Sequence, residues 1–208
     1  MMQRRSLAEL RQSAMPDGSN PLTDLLNAVV LGNEQTAIAL IEQQELSDRQ
    51  REQLLAGAAK FNDRKIVDYL IKSGTRLNWP ELTQQYMSAP LNNALTYDYL
   101  DLATHLIEQG ANVDAEYGSN NTPLNCAVES NRIDACKLLI DHGADVHAPT
   151  DGVPPIIRAA DGGNLDIVKL LIDNEADPNA KAFGHTPLND AMARGHTEVV
   201  QYLRSLQN

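Results

Sequence analysis

The sequence predicts an all-α fold, a solenoid of about six helix pairs, and three recurrences carry that expectation. An alanine returns as Ala28, Ala58, Ala94, Ala127, Ala159 and Ala191, and a residue type that tolerates positive φ returns as Gly32, Asn62, Asp98, Asn131, Gly163 and Gly195. An aliphatic pair returns as Leu40-Ile41, Leu70-Ile71, Leu106-Ile107, Leu139-Ile140 and Leu171-Ile172, and closes as Leu203-Arg204. All three series step by 30, 36, 33, 32 and 32 residues. One such pair is too thin to bury its own apolar face, so units of this kind fold by stacking on their neighbours.

In chain order, residues 1–20 are polar and end in Pro16-Asp17-Gly18-Ser19-Asn20; within them Leu7 to Gln12 reads either as a short capping helix or as disorder. The repeat domain is expected over 21–208, with repeats near 23–46, 53–77, 89–115, 122–148, 154–180 and 186–208. Trp79 to Ser88 interrupts the register and accounts for the step of 36 residues, and Pro80 with Glu81 suits the opening of a helical turn there. Such insertions emerge as loops on one face, often the binding face.

The fourth repeat shows the local logic most plainly. Thr122 is a hydroxyl cap, Pro123 suits the first helical position, Leu124 and Ala127 share a side, and Asn131 closes the helix in the left-handed conformation. A second helix carries Ile133, Cys136, Leu139 and Ile140 and stops at Gly143. In the sixth repeat Arg204 and the polar Ser205-Leu206-Gln207-Asn208 make the uncovered layer a solenoid end needs, so the fold is expected to end with the chain.

Three motifs resemble the ankyrin repeat family: Thr122-Pro123-Leu124 with Ala127; Gly184-His185-Thr186-Pro187-Leu188 with Gly195-His196; and Gly143-Ala144-Asp145-Val146. The resemblance covers roughly Pro21 to the C-terminus and is strongest from Ala89 onward. Departures are Glu175 for a usual glycine, Pro154 for a usual threonine, and Gln53-Leu54 for a usual Thr-Pro. The family implies non-catalytic binding of another protein, and the chain looks like the stand-alone ankyrin proteins of bacteria.

Composition narrows the function. Aromatic residues make up only 4%, so the core comes from Leu, Ile, Val and Ala, and six stacked pairs leave no room for a catalytic domain. The net charge is −11, and residues 81–208 hold 18 acidic and 7 basic side chains, whereas residues 1–80 hold 10 of each. That surface repels nucleic acid and anionic membrane and steers basic partners, or else it serves solubility. Cys126 and Cys136 read as buried small hydrophobes, with a disulfide or redox switch as the other reading. MMQRRSLAELRQ lacks the apolar core of a signal peptide and no run is long enough to span a bilayer, so a reducing, cytoplasmic setting is expected.

No Gly-rich phosphate loop, nucleophile elbow or HExxH motif is present, so neither an enzyme nor a cofactor is expected. His142 and His147 lie beside Asp141 and Asp145, but the matching loops of other repeats lack these histidines, and no metal is expected. His185 and His196 read as structural or contact residues.

In a helix-pair solenoid the inner helices and projecting loops line a concave side. The two residues before each turn residue are expected to face it, giving Leu31, Phe61, Thr96, Tyr97, Glu129, Asp161 and Arg194 as partner-binding candidates. Loop tips add Trp79, Tyr86, Tyr117, Ser119, Asn121, Asp151, Val153, Phe183 and His185. Exposed aromatic groups mark partner contacts, although the insertion at Trp79 to Ser88 would equally well cover Phe61 and Tyr97.

A small acidic solenoid suits one-to-one capture of a single, basic protein partner, with no nucleic acid and no membrane, by a chain that is a monomer when free. The expected role is an inhibitor such as an immunity protein or antitoxin that neutralises a basic toxin. An adaptor or secreted bacterial effector that binds a host protein is the alternative.

Overall fold

The computed structural model describes Leu25 and residues 27–29, 31–78, 89–115 and 121–207. The expected cap at Leu7 to Gln12, the insertion with Trp79 and Tyr86, and the loop positions Tyr117 and Ser119 lie outside the described residues. Among the described residues the secondary structure is helical, with two isolated β-bridges and no strand. The chain forms two compact units, Met1–Arg76 and Leu77–Asn208. The boundary falls just ahead of the insertion that breaks the register.

In the first unit, helical residues from Leu25 precede α1 (Glu34–Gln43), followed by α2 (Asp48–Lys60) and α3 (Arg64–Lys72). α2 and α3 pack as a hairpin and α1 packs on α3. α2 begins ahead of the Gln53 boundary expected from sequence because Ser47 and Gln50 form a capping box. Gln50 N donates to Ser47 Oγ (3.4 Å) and Ser47 N donates to Gln50 Oε1 (2.9 Å). In α1 the buried residues are Ala37 and Ile41, not Leu40. Thr36 stands where Ile66, Leu102, Ala135, Ile167 and Val199 stand in the other second helices, so the apolar face of α1 turns one residue onward.

The second unit contains four hairpins. They are α4 (Pro90–Thr96) with α5 (Leu100–Glu108), α6 (Pro123–Glu129) with α7 (Ile133–Asp141), α8 (Pro155–Asp161) with α9 (Leu165–Asp173), and α10 (Pro187–Arg194) with α11 (Thr197–Ser205). First helices stack on first helices and second on second. Every first helix here opens with proline, whose missing N–H costs nothing at that position. Thr122 and Thr186 add hydroxyl caps to the N–H groups of Asn125 (3.3 Å) and Asn189 (3.1 Å). Ala89 and Pro154 supply no such bond.

The six turn residues all adopt left-handed φ, from 56° at Asn62 to 78° at Gly195. The six alanines are all buried, as are Leu70, Leu106, Leu139, Leu171 and Leu203. Glu175 takes φ 74°, the conformation that Gly74, Gly110 and Gly143 hold at the same place, so the departure from glycine changes the residue and not the path. Asn125 is fully buried and ties α6 to the loop after α7, its Nδ2 donating to Thr122 Oγ1 (3.0 Å) and to the Ala148 carbonyl (2.9 Å).

Two fingers project from this unit. Thr150 and Val153 exchange backbone hydrogen bonds (3.1 and 2.9 Å) around Asp151 and Gly152, and Ala182 and His185 do the same (3.1 and 2.8 Å) around Phe183 and Gly184. Both central residues of each turn have positive φ, which presents Asp151 and Phe183 at the tips.

Burial pushes the thiols of both Cys126 and Cys136 up to about 12, and the charge of Glu129 adds to the shift at Cys126. Neither is in a disulfide. A neutral thiol is a poor nucleophile. Both cysteines are therefore expected to resist iodoacetamide at pH 8 until the protein is unfolded in urea, as read by mass spectrometry. Because the folded pKa lies above the unfolded one, the stability these thiols contribute is complete below the ordinary thiol range. It is lost as pH rises from there toward 12.

Candidate partner-binding surface

The residue before each left-handed turn is the last of its inner helix or caps it, so its side chain clears the hairpin. In the first unit this leaves Leu31 80% and Phe61 46% exposed. In the second unit it leaves Tyr97 44% exposed, its ring stacked on Tyr99 with centroids 6.0 Å apart, and Thr96 beside it is exposed. Phe183 is 79% exposed at its finger tip while its ring lies over Gly152 of the neighbouring tip. Asn121 faces the same finger, its Oδ1 accepting from Thr150 Oγ1 (3.1 Å).

The later repeats form an open cleft of about 440 Å³. Its lining brings together Glu129, Val153, Asp161, His185 and Arg194, five of the residues singled out from the sequence register, over buried Val128, Ile157 and Ala159. Two ion pairs step from one repeat to the next along it. Arg158 Nη1 donates to Glu129 Oε1 (2.5 Å) while its Nη2 donates to the Thr150 carbonyl (2.9 Å). Arg194 Nε and Nη2 donate to Asp161 Oδ1 (2.8 Å) and Oδ2 (3.3 Å), a two-pronged pair that raises the guanidinium pKa. His185 Nδ1 donates to Asp190 Oδ1 at 2.8 Å.

Glu129 and Asp161 are thus not the solitary carboxylates that their positions in the sequence suggest; each is locked to an arginine one repeat onward. Such exposed pairs add little stability but hold side chains in place. Beside the cleft, His196 Nε2 donates to the Asp161 carbonyl (2.8 Å) and its ring covers Gly163. Away from it, the ring of His142 donates through Nδ1 to the Leu138 carbonyl (2.8 Å) near the end of α7. Among the described residues no group of three or more His, Cys, Asp and Glu could hold a metal ion, and no helix is long and apolar enough to cross a membrane.

Sequence reasoning passes over Arg158, Asp190, Ile157 and Asn164, which also line the cleft. The signal available for Arg158 is its distance from Glu129, 29 residues and so a few short of one repeat, against the 33 residues that separate Arg194 from Asp161. Met192 is 49% exposed although Val29, Ala59, Leu95, Val128 and Ala160, three residues before their own turn residues, are buried. In repeats three to five a following repeat covers that position; among the described residues none follows repeat six.

Helix hairpins stacked in register, with projecting turns and a surface cleft of paired charges, define a repeat scaffold of the protein-binding kind. The family model described as ankyrin repeats (3 copies) matches residues 55–150 and 147–208, and the chain belongs to the ankyrin repeat family. Its repeats mark a protein–protein interaction module of a family that is typically non-catalytic. No curated protein matches the chain.

Proposed function

We propose that the chain captures one basic protein partner on the inner-helix and finger side and acts as its one-to-one inhibitor, in the manner of an immunity protein or antitoxin against a basic toxin. The carrying observation is the convergence of Glu129, Val153, Asp161, His185 and Arg194 on a single open cleft within the repeats that hold the whole acidic excess. An acidic surface speeds the approach of a basic partner, and exposed Tyr97 and Phe183 offer apolar contact area once it has docked. Two unbridged thiols suit a reducing, cytoplasmic setting.

The test uses the tagged full chain as bait in a lysate of its source, with mass spectrometry to identify the partner and titration to find the ratio at which that partner's activity stops. An acidic partner, or one that keeps full activity when saturated, sinks the inhibitor reading.

Charge steering has its own check. Asp151 holds φ 50°, which asparagine also tolerates, so Asp151→Asn removes the charge without straining the finger. Association at low salt is expected to slow by about twofold and its salt dependence to flatten, with dissociation unchanged. Stopped-flow mixing at two ionic strengths reads this, and an unaltered salt slope removes the steering argument for the finger.

A further inference from the structure

We propose that the cleft over Gly162 seats one cationic side chain, a lysine or arginine of the bound partner; this rests on the protein-binding reading above. Gly162 precedes the turn of the fifth repeat, where other repeats carry Leu31, Phe61, Tyr97, Ser130 and Arg194. Its backbone does not require glycine, because φ −76° and ψ −10° are right-handed helical. Nor does its packing. An added Cβ would meet only the carbonyl oxygens of Arg158 at 3.4 Å and Ala159 at 3.7 Å, which is ordinary contact.

Gly163 next to it is constrained on both counts, by φ +72° and by the His196 ring. A glycine that neither backbone nor packing demands weakens the helix end it occupies. What it provides is space: the missing side chain leaves the cleft open between the Glu129–Arg158 and Asp161–Arg194 pairs.

The lining selects the occupant. Val128, Ile157 and Ala159 form a buried apolar floor that suits an aliphatic stem, with Val153 beside them. Around the rim stand three carboxylates, Glu129, Asp161 and Asp190, and two guanidiniums, Arg158 and Arg194. Each guanidinium is already offset by its own carboxylate, while Asp190 is hydrogen-bonded to the imidazole of His185 and adds a third negative charge within electrostatic reach of Arg194. With histidine counted neutral the excess is negative. Arg158 Nε has no partner among the described residues, but it is buried from solvent and offers nothing to a ligand. A carboxylate accepts about four hydrogen bonds, so the rim keeps room for incoming donors on a cation.

Random-sequence peptides displayed on phage and selected on the full chain test this. The enriched peptides are expected to carry a lysine or arginine whose replacement by norleucine weakens binding by about tenfold or more, as loss of a charged hydrogen-bonded contact does. Gly162→Leu is expected to abolish binding while the circular dichroism spectrum and melting temperature stay as they are or rise. Gly162→Ala, which adds a single methyl, is expected to weaken it to a lesser degree and serves if the leucine variant misfolds. Peptides that bind Gly162→Leu or Gly162→Ala as well as the parent, or whose essential side chain is acidic or apolar, overturn the cation site and leave the protein-binding reading standing. Failure of any peptide to enrich overturns both.

Discussion

Replacing Gly163 with alanine is expected to destabilise the protein by about 2–4 kcal/mol, from two costs that fall on one atom. The backbone stands at φ +72°, where a Cβ crowds the following carbonyl. The same Cβ would lie 2.4 Å from Nδ1 and 2.5 Å from Cε1 of His196. That ring does not swing away freely, because its Nε2 is held at 2.8 Å by the Asp161 carbonyl.

Gly195 separates the two costs. It has φ +78° but nothing within 4 Å of an added Cβ, so Gly195→Ala is expected to cost only the backbone share of about 1–2 kcal/mol. Urea denaturation followed by circular dichroism measures both variants. In a His196→Ala background the penalty at Gly163 is expected to shrink toward that at Gly195. Equal losses at the two glycines in the parent protein would show that the histidine yields at no cost.

That comparison also explains what could be read from the chain. A left-handed turn restricts residue type so strongly that Gly32, Asn62, Asp98, Asn131, Gly163 and Gly195 announce themselves in sequence, and all six hold positive φ. The buried alanines are legible for a similar reason, since closely stacked helices leave room for little else. The start of α2 at Asp48 was also written, as Ser47 and Gln50, but the family register drew the boundary toward Gln53. The rotated face of α1 follows from a single threonine, Thr36, that alignment of leucines alone passes over.

The cleft was legible only by halves. Position within one repeat finds Glu129, Asp161 and Arg194, because a residue just before a turn must clear its own hairpin. It does not find Arg158 or Asp190, whose place is set by what lies one repeat or one finger away. Nor does it show that Glu129 and Asp161 are neutralised in pairs. Contacts between repeats depend on the stacking distance, and periodicity specifies order along the chain without fixing that distance.

The stacking itself sets up the second large effect. Leu139 is fully buried in α7, and that helix packs against α6 in its own repeat and against α5 and α9 on either side. Leu139→Ala is expected to cost about 3 kcal/mol, the loss of a buried side chain plus the cavity it leaves. Where each repeat touches only its neighbours, a defect in the fourth weakens the link between the third and the fifth. Hydrogen exchange should therefore quicken across α4 to α9.

Leu203→Ala removes a side chain of the same kind, 2% exposed, from α11, which packs chiefly on α10 and α9 among the described helices. Here faster exchange is expected to stay within α10 and α11, with a loss nearer 2 kcal/mol. If Leu203→Ala instead speeds exchange evenly from α4 to α11, the second unit unfolds as one block. Its repeats would then be coupled more tightly than stacking between nearest neighbours allows.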